Sequence, residues 1–93
     1  MRLVWAKRAD ADLIAIWRYL APHSERAADD QLRRLQARCD LLVQFPELGP
    51  LRLGRRPDVR QLVEGDYLIF YRVTRSRIEV LRVLHGRRDL SSW

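Results

Sequence analysis

Arginine side chains lie within the two most apolar runs of the last third of the chain, where they could bind anionic groups. Arg72 belongs to residues 67–73 and Arg82 to residues 78–85. Arginine presents a planar fork of donors that matches phosphate and carboxylate, and it is rarely fully buried unless it is paired. Each of these two arginines therefore needs an acidic partner, a solvent-exposed face or an anionic ligand.

Strand alternation assigns the arginines to faces of a predicted sheet, because side chains two residues apart share a face. Three such sets contain an arginine: Arg72 with Leu68 and Phe70, Arg82 with Ile78, Val80 and Leu84, and Arg60 with Leu62 and Glu64. If the strands align, two or three arginines meet on the face away from the helices and form a concave basic patch. A cross-strand set of salt bridges with Glu64, Asp66 or Glu79 is the alternative, and the sequence leaves both open.

His85 is the remaining candidate for chemistry. It ends the last strand on the opposite parity to Arg82 and is followed by Arg87 and Arg88, where an imidazole could exchange a proton with a phosphodiester. A structural role at the strand end is the alternative. His23 is predicted to be a surface turn residue. No HExxH, GxSxG or metal-ligand spacing accompanies either histidine, so we expect no metal and no cofactor.

Composition indicates a single domain, residues 1–93, with one modest core. The net charge of +6 favours anionic partners, such as nucleic acid or an acidic protein segment. Residues 46–93 hold ten arginines against six acids, so most of the excess accompanies the strands. A GC-rich coding sequence would produce the same arginine bias, and the composition does not separate the two explanations.

Neither a membrane span nor a signal peptide is predicted, since no run approaches the ~18 to 20 apolar residues of a span and Lys7 and Arg8 interrupt the first apolar segment. The expected location is cytoplasmic, without membrane association. Cys39 is the single cysteine, which excludes an internal disulfide, and its helical spacing predicts a core residue.

Two helices are predicted after a first strand at residues 2–5. They cover residues 7–21 and 25–45, and the short link between them predicts an antiparallel hairpin. Pro22 ends the first helix, Ser24 caps the second, and Pro46 ends the second. The predicted helical core contains Leu13, Ile16, Trp17, Leu20, Ala28, Leu32, Leu35, Cys39 and Leu42.

The apolar arc of the first helix is wider than one covered face requires, because Ile14 and Ala21 extend it beside Trp17. The helix either contacts both a sheet and a second helix, or it offers a groove to a partner helix. The sequence allows both interpretations.

Three antiparallel strands are predicted at residues 59–63, 67–73 and 78–85, after an irregular loop at 48–57. Residues 64–66 make a hairpin turn and residues 74–77 a second turn. A helical hairpin followed by such a sheet predicts an α+β domain, with the helices packed on one face of the sheet.

The motifs FPELG after the second helix, YLIFYRV on a central strand and IEVLRVLHGRRDL at the end resemble the RelE/ParE superfamily of toxins from type II toxin-antitoxin modules. The similarity covers essentially the whole chain and is nearer to ParE, whose members poison DNA gyrase, than to the RelE ribosome-dependent mRNA endoribonucleases. In RelE-like nucleases a tyrosine near the C-terminus is implicated in cleavage, and this chain has no counterpart to it. That departure favours gyrase inhibition without catalysis over RNA cleavage.

The resemblance also implies roles for particular residues. Target binding would involve Arg60, Arg72, Arg82, His85, Arg87 and Arg88. In the alternative endoribonuclease, Arg60 and Arg82 would stabilise phosphate charge and His85 would move a proton. A cognate antitoxin with an acidic C-terminal segment would cover the helical hairpin along Ile14, Trp17 and Ala21, forming a toxin-antitoxin hetero-oligomer. A domain of this fold that has lost its toxicity is the third possibility.

Overall fold

The computed structural model describes residues 1–52, 56–88 and 93. Its elements follow in chain order as β1 (Arg2–Trp5), α1 (Lys7–Leu20), α2 (Glu25–Asp40), β2 (Val59–Glu64), β3 (Tyr67–Val73) and β4 (Arg77–His85). Residues 53–55 of the predicted loop and 89–92 of the C-terminal motif lie outside the described residues. No helix in the described ranges is long and apolar enough to cross a bilayer.

The helix boundaries confirm the predicted hairpin and correct one of its ends. Ser24 caps α2, because its Oγ accepts a hydrogen bond from the Ala27 N–H at 3.1 Å. The prediction that α2 reaches residue 45 is wrong, since the helix ends at Asp40 and continues as a 3₁₀ turn at Leu41–Val43. Pro46 disfavours the helical conformation in the residue before it, and a tightened last turn is a common way to end a helix.

The sheet has the order β1-β4-β3-β2. The three later strands are antiparallel neighbours, as predicted, whereas β1 pairs with β4 in parallel, a place that the sequence analysis did not assign. Glu64 pairs with Tyr67, so only Gly65 and Asp66 connect β2 to β3. Gly65 has φ +57°, a conformation that favours glycine in a two-residue hairpin turn.

A β-bulge in β4 changes the face on which Arg82 lies. Phe70 pairs with Arg82 but the next residue, Tyr71, pairs with Val80, so Leu81 is an extra residue in β4. An extra residue interrupts the two-residue alternation. The prediction that Arg82 continues the alternation of Ile78 and Val80 is therefore wrong, because those two pack towards the helices while Arg82 is paired with Phe70, which belongs to the cluster on the other face.

The main core lies between the helical hairpin and one face of the sheet, which confirms the α+β arrangement. Five predicted helical core residues are buried there: Leu13, Ile16, Leu35, Cys39 and Leu42. Trp17, Leu20 and Leu32 are half-buried. A smaller cluster occupies the opposite face, hereafter the open face, and contains Val59, Phe70 and Leu84 with Leu68, Leu81 and Trp93 packed against them.

Candidate functional site

Arg82 is buried and paired with Asp12 of α1. Its Nε and Nη2 donate to the two carboxylate oxygens of Asp12 at 2.8 and 3.0 Å, and Oδ2 also accepts the Val83 N–H at 2.9 Å. The hydrogen bond with Asp12 raises the pKa of Arg82 above its usual value. Only 7% of Arg82 is exposed, so this guanidinium fastens α1 to β4 and has little contact with solvent.

Arg72 takes part in a salt-bridge network on the open face. It pairs across the strands with Glu79 at 3.0 Å, and Glu79 also pairs with Arg77 at 3.0 Å. Asp58 lies 3.5 Å from the Arg72 guanidinium as well. Of the two arrangements left open by the sequence, the cross-strand salt-bridge set is thus the one present around Arg72.

Arg60 lies on the helix-facing side of β2 and does not meet Arg72 or Arg82. It pairs with Tyr71, and its Nη1 donates to the Gly49 carbonyl at 2.8 Å. The sequence left open a patch of two or three arginines on one face, and the version that includes Arg60 is wrong. The physical reason is register, because Arg60 pairs with Tyr71 and therefore lies on the opposite face of the sheet from Arg72.

Tyr71 explains the FPELG motif and was not singled out by the sequence analysis. Its hydroxyl donates to the Pro46 carbonyl and accepts the Gly49 N–H, both at 2.8 Å. A Cβ on Gly49 would lie 2.7 Å from the Gln61 carbonyl oxygen, so the loop approaches β2 too closely for a larger residue. Burial raises the pKa of the Tyr71 hydroxyl above its usual value.

His85, Arg87 and Arg88 do lie together, around a cavity of about 450 Å³ that we name the C-terminal pocket. Tyr19 and Tyr67 also line it. The His85 ring stacks edge-on against Tyr67, with centroids 5.4 Å apart, and its Nδ1 accepts the Arg87 N–H at 3.1 Å. Burial raises the pKa of Tyr67.

The C-terminal pocket offers the most accessible of the predicted site residues. Arg87 and Arg88 are exposed, whereas His85 is half-buried. Two solvated guanidinium groups beside an imidazole and two phenols form a surface suited to carboxylate or phosphate. Among the described residues, no group of three His, Cys, Asp or Glu side chains could hold a metal ion.

The α1 flank defined by Ile14, Trp17 and Ala21 is only partly open. Ile14 is 52% exposed, while Trp17 and Ala21 are half-buried. Trp17 Nε1 donates to Asp29 of α2 at 2.8 Å, which joins the two helices of the hairpin. Tyr19, 71% exposed, stands with Ile14 beside a shallow depression on the same helix. Contact with both sheet and second helix therefore accounts for most of the wide arc, and Ile14 is its uncovered part.

A family model described as the ParE toxin of a type II toxin-antitoxin system, parDE, matches residues 3–90. The chain belongs to the ParE toxin family. It is the toxin of a type II toxin-antitoxin system.

Named relatives agree with the ParE family and also include a RelE-type name. Toxin ParE1 of Caulobacter vibrioides is 38% identical over 86% of this chain and 83% of the relative. Toxin RelE2 of the same organism is 33% identical over 94% of this chain and 97% of the relative. A solved structure of a chromosomal ParDE TA system from P. aeruginosa has a TM-score of 0.78 and 27% identity, covering 91% of this chain and 95% of the other.

Proposed function

We propose that this ParE-family toxin inhibits DNA gyrase without catalysing a reaction of its own, and that a cognate antitoxin neutralises it. The family supports the toxin role, and the ParE names of its relatives support the gyrase branch of the superfamily. The observation that carries the choice against catalysis is the Asp12–Arg82 pair.

An endoribonuclease of the RelE type would need Arg82, Arg60 and His85 around one phosphodiester. Arg82 donates through its Nε and Nη2 to the buried carboxylate of Asp12, and Arg60 donates to the Gly49 carbonyl in the loop after α2. Stabilising charge in a transition state requires donors aimed at the reacting group. These two arginines are instead aimed at the protein itself, which favours binding over catalysis.

Target binding is assigned to the C-terminal pocket. Arg87 and Arg88 are exposed cations with His85 beside them, and the family model extends through this segment. Arg60, Arg72 and Arg82 then support the fold that presents the pocket. Exposed cations at a binding surface attract acidic partners and raise the association rate.

The antitoxin that neutralises the toxin would bind the Ile14 side of α1 together with Arg87 and Arg88. An antitoxin segment with apolar side chains would cover Ile14 and the depression beside Tyr19, and its acidic residues would face Arg87 and Arg88. The solved ParDE system is the structural relative that supports an antitoxin partner.

The test compares two activities of the purified protein. We expect inhibited supercoiling or trapped cleaved DNA with gyrase, at concentrations that leave mRNA intact on translating ribosomes. Replacing Arg87 and Arg88 with Gln should abolish inhibition, whereas Arg26→Gln, a charge change on an exposed part of α2, should preserve it.

The RelE2 relative keeps a ribosome-dependent endoribonuclease as the second candidate. Site-specific mRNA cuts that disappear in His85→Ala would establish that function and reject the first. A folded wild-type protein with neither activity would instead be a toxin domain that has lost its toxicity.

A further inference from the structure

Large apolar side chains are exposed on the 3₁₀ turn and the loop that follow α2. Leu41, Val43, Phe45 and Leu48 are all exposed, and Phe45 is 56% exposed. A cavity of about 570 Å³, which we name the loop cavity, is lined by Phe45, Pro46, Glu47, Leu48, Arg60 and Val73. Exposed apolar side chains that are grouped in this way mark interaction sites, whereas single ones are normal on any surface.

The loop that carries these side chains is fixed on both sides of Leu48. The Tyr71 hydroxyl donates to the Pro46 carbonyl and accepts the Gly49 N–H, both at 2.8 Å. The Leu48 N–H donates to the Phe45 carbonyl at 3.0 Å. A surface that is already ordered loses little conformational entropy when a partner binds to it.

Charge favours a particular partner for this surface. Residues 39–51 form the longest stretch of the sequence without lysine or arginine, although the net charge of the chain is +6. An acidic partner would be attracted to the arginines elsewhere and not to this stretch. Two copies of a basic chain repel each other, and the repulsion is smallest where segments without cations meet. The charge distribution therefore favours a second copy of this chain.

We infer that two copies of this chain associate through their loop cavities in a two-fold symmetric contact. Such a contact joins one patch to the same patch of the other copy, so the patch must be complementary to itself. Among the described residues that line the cavity, the walls are mainly apolar and Arg60 is the only cation. An apolar side chain with a carboxylate nearby fits this lining. Phe45 and Glu47, both exposed at the cavity, supply that combination.

In this arrangement Phe45 of each copy packs into the loop cavity of the other, and Glu47 of each copy pairs with Arg60 of the other. Both contacts occur twice, as two-fold symmetry requires. The apolar contact supplies the buried anchor that stabilises an interface, and the ion pair sets the orientation of the two copies.

The contact leaves the C-terminal pocket open. Tyr67 at the start of β3 lines that pocket, and Val73 at the end of β3 lines the loop cavity. A seven-residue strand is about 20 Å long, so the two cavities lie at opposite ends of the sheet. A dimer therefore presents two C-terminal pockets at once, and it gains avidity for any target that offers two equivalent sites.

Sedimentation equilibrium across a concentration series measures this association in the purified chain. Gyrase, ribosomes and antitoxin are absent, so failure here is separate from failure of the proposed function. We expect the average mass to rise from 11.1 kDa towards twice that value as the concentration increases. A wild-type chain that stays at 11.1 kDa throughout the series would overturn the inference.

A pair of matched variants locates the contact. Phe45→Asp should weaken the association about tenfold or more, because it removes the apolar anchor and places a charge in the contact. Tyr19→Asp makes the same kind of change at an aromatic residue of α1 that is more exposed, and it should leave the association unchanged. Undiminished association of Phe45→Asp, or equal losses in both variants, would reject this surface.

Charge reversal tests the reciprocal pairing of Glu47 with Arg60. Glu47→Arg alone places two cations together at both ion-pair positions, and Arg60→Glu alone places two carboxylates there, so each variant should be monomeric. An equimolar mixture restores opposite charges at both positions and should form heterodimers. A mixture that stays monomeric, or dimers of either variant alone, would reject the pairing.

A measurement on the wild-type chain covers the case in which Arg60→Glu fails to fold, since Arg60 Nη1 also donates to the Gly49 carbonyl. Amide resonances of Phe45 and Leu48 should shift as the protein concentration rises, while that of Arg87 in the C-terminal pocket stays in place. The shifts should disappear in Glu47→Arg. Shifts that spare the loop after α2, or that persist in Glu47→Arg, would contradict the proposed contact.

Discussion

The carboxylate of Asp12 joins α1 to β4 by accepting Nε and Nη2 of Arg82 and the backbone N–H of Val83. The side chains of Asp12 and Arg82 are 12% and 8% exposed, so water has little access to the hydrogen-bonding groups of the pair. Val83 lies beyond the pairing of β1 with β4, which ends at Val80. Where β1 ends, the Asp12 carboxylate therefore accepts a backbone hydrogen bond from the edge of β4.

Removing that carboxylate should destabilise the protein strongly. Asp12→Ala leaves a charged guanidinium and an N–H without their acceptor, and we expect a loss of about 3 kcal/mol in the free energy of unfolding. Asp30→Ala removes the acid of an exposed pair with Arg33 on α2 and should cost less than about 0.5 kcal/mol. Urea denaturation measures both. Similar small losses in the two variants would show that the buried pair contributes no more to the free energy of unfolding than the exposed pair does.

Tyr71 should hold the loop after α2 through its hydroxyl. Tyr71→Phe keeps the ring but leaves the Gly49 N–H and Pro46 carbonyl without their partner, so we expect a loss of about 1 to 2 kcal/mol. Tyr67→Phe is the matched control, and it should change stability by less than about 0.5 kcal/mol. Faster amide exchange at Gly49 in the Tyr71 variant alone would locate the effect. Equal losses in the two variants would contradict the role.

The hairpin and strands were predictable because their signals are local. Apolar residues recur at helical spacing through Leu35 and Cys39, Ser24 precedes the second helix, and Gly65 marks the turn. These features depend on neighbouring residues only. The helix and strand boundaries differ from the prediction mainly at the end of α2, where the last turn tightens into a 3₁₀ turn.

The site was less predictable because its contacts are distant in sequence. Asp12 and Arg82 are 70 residues apart, and no periodicity relates them. The bulge at Leu81 breaks the alternation on which the face of Arg82 was predicted, and only pairing with β3 reveals it. Nothing in the local sequence around Trp93 predicted that its ring packs against Phe70. The clustering of His85, Arg87 and Arg88 was evident because these residues are adjacent in the chain.

Leu35 tests the placement of α2 in the main core. It is fully buried, and Leu35→Ala should cost about 2 to 5 kcal/mol in the free energy of unfolding. Leu41, 41% exposed just after the helix, provides the same substitution at the surface and should lose less than about 1 kcal/mol. A loss below about 0.5 kcal/mol at Leu35 would be inconsistent with a packed hairpin.

Cys39 should make stability fall in alkaline solution. Burial, with a smaller effect from Asp40, raises the pKa of its thiol from 9.0 to about 12. Above pH 9 the unfolded chain therefore loses a proton that the folded chain keeps, so the stabilisation is complete below pH 9 and declines up to about pH 12. At one unit above the unfolded pKa this loss is about 1.4 kcal/mol.

Cys39→Ala should remove that part of the pH dependence, whatever its effect at neutral pH. Denaturation under reducing conditions at neutral and alkaline pH gives the slope for each protein. The difference between the two slopes isolates the thiol from the tyrosines, whose raised pKa values act in the same direction in both. Parallel slopes would show that the thiol ionises alike in the folded and unfolded chains.

Arg87 and Arg88 should set the rate at which antitoxin associates. They are exposed, and long-range attraction between an acidic segment and surface cations mainly raises the association rate. Replacing both with Gln should slow association and flatten its dependence on salt, because fewer screened charges take part. Stopped-flow or surface-based kinetics across a salt series measures this. An unchanged association rate at low salt would remove these arginines from the antitoxin encounter.

Ile14 should instead set how long the antitoxin stays bound. Its side chain is 52% exposed, so Ile14→Asp adds a charge at the interface without unfolding the domain. Apolar anchors govern dissociation, and we expect faster release of the antitoxin with a nearly unchanged association rate. Arg8→Gln, a charge change at an exposed residue of α1 that does not line this depression, is the control for altered charge alone. If Ile14→Asp melts like wild type and releases antitoxin at the wild-type rate, the antitoxin does not cover this side of α1, and the exposure of Ile14 reflects ordinary packing of the hairpin.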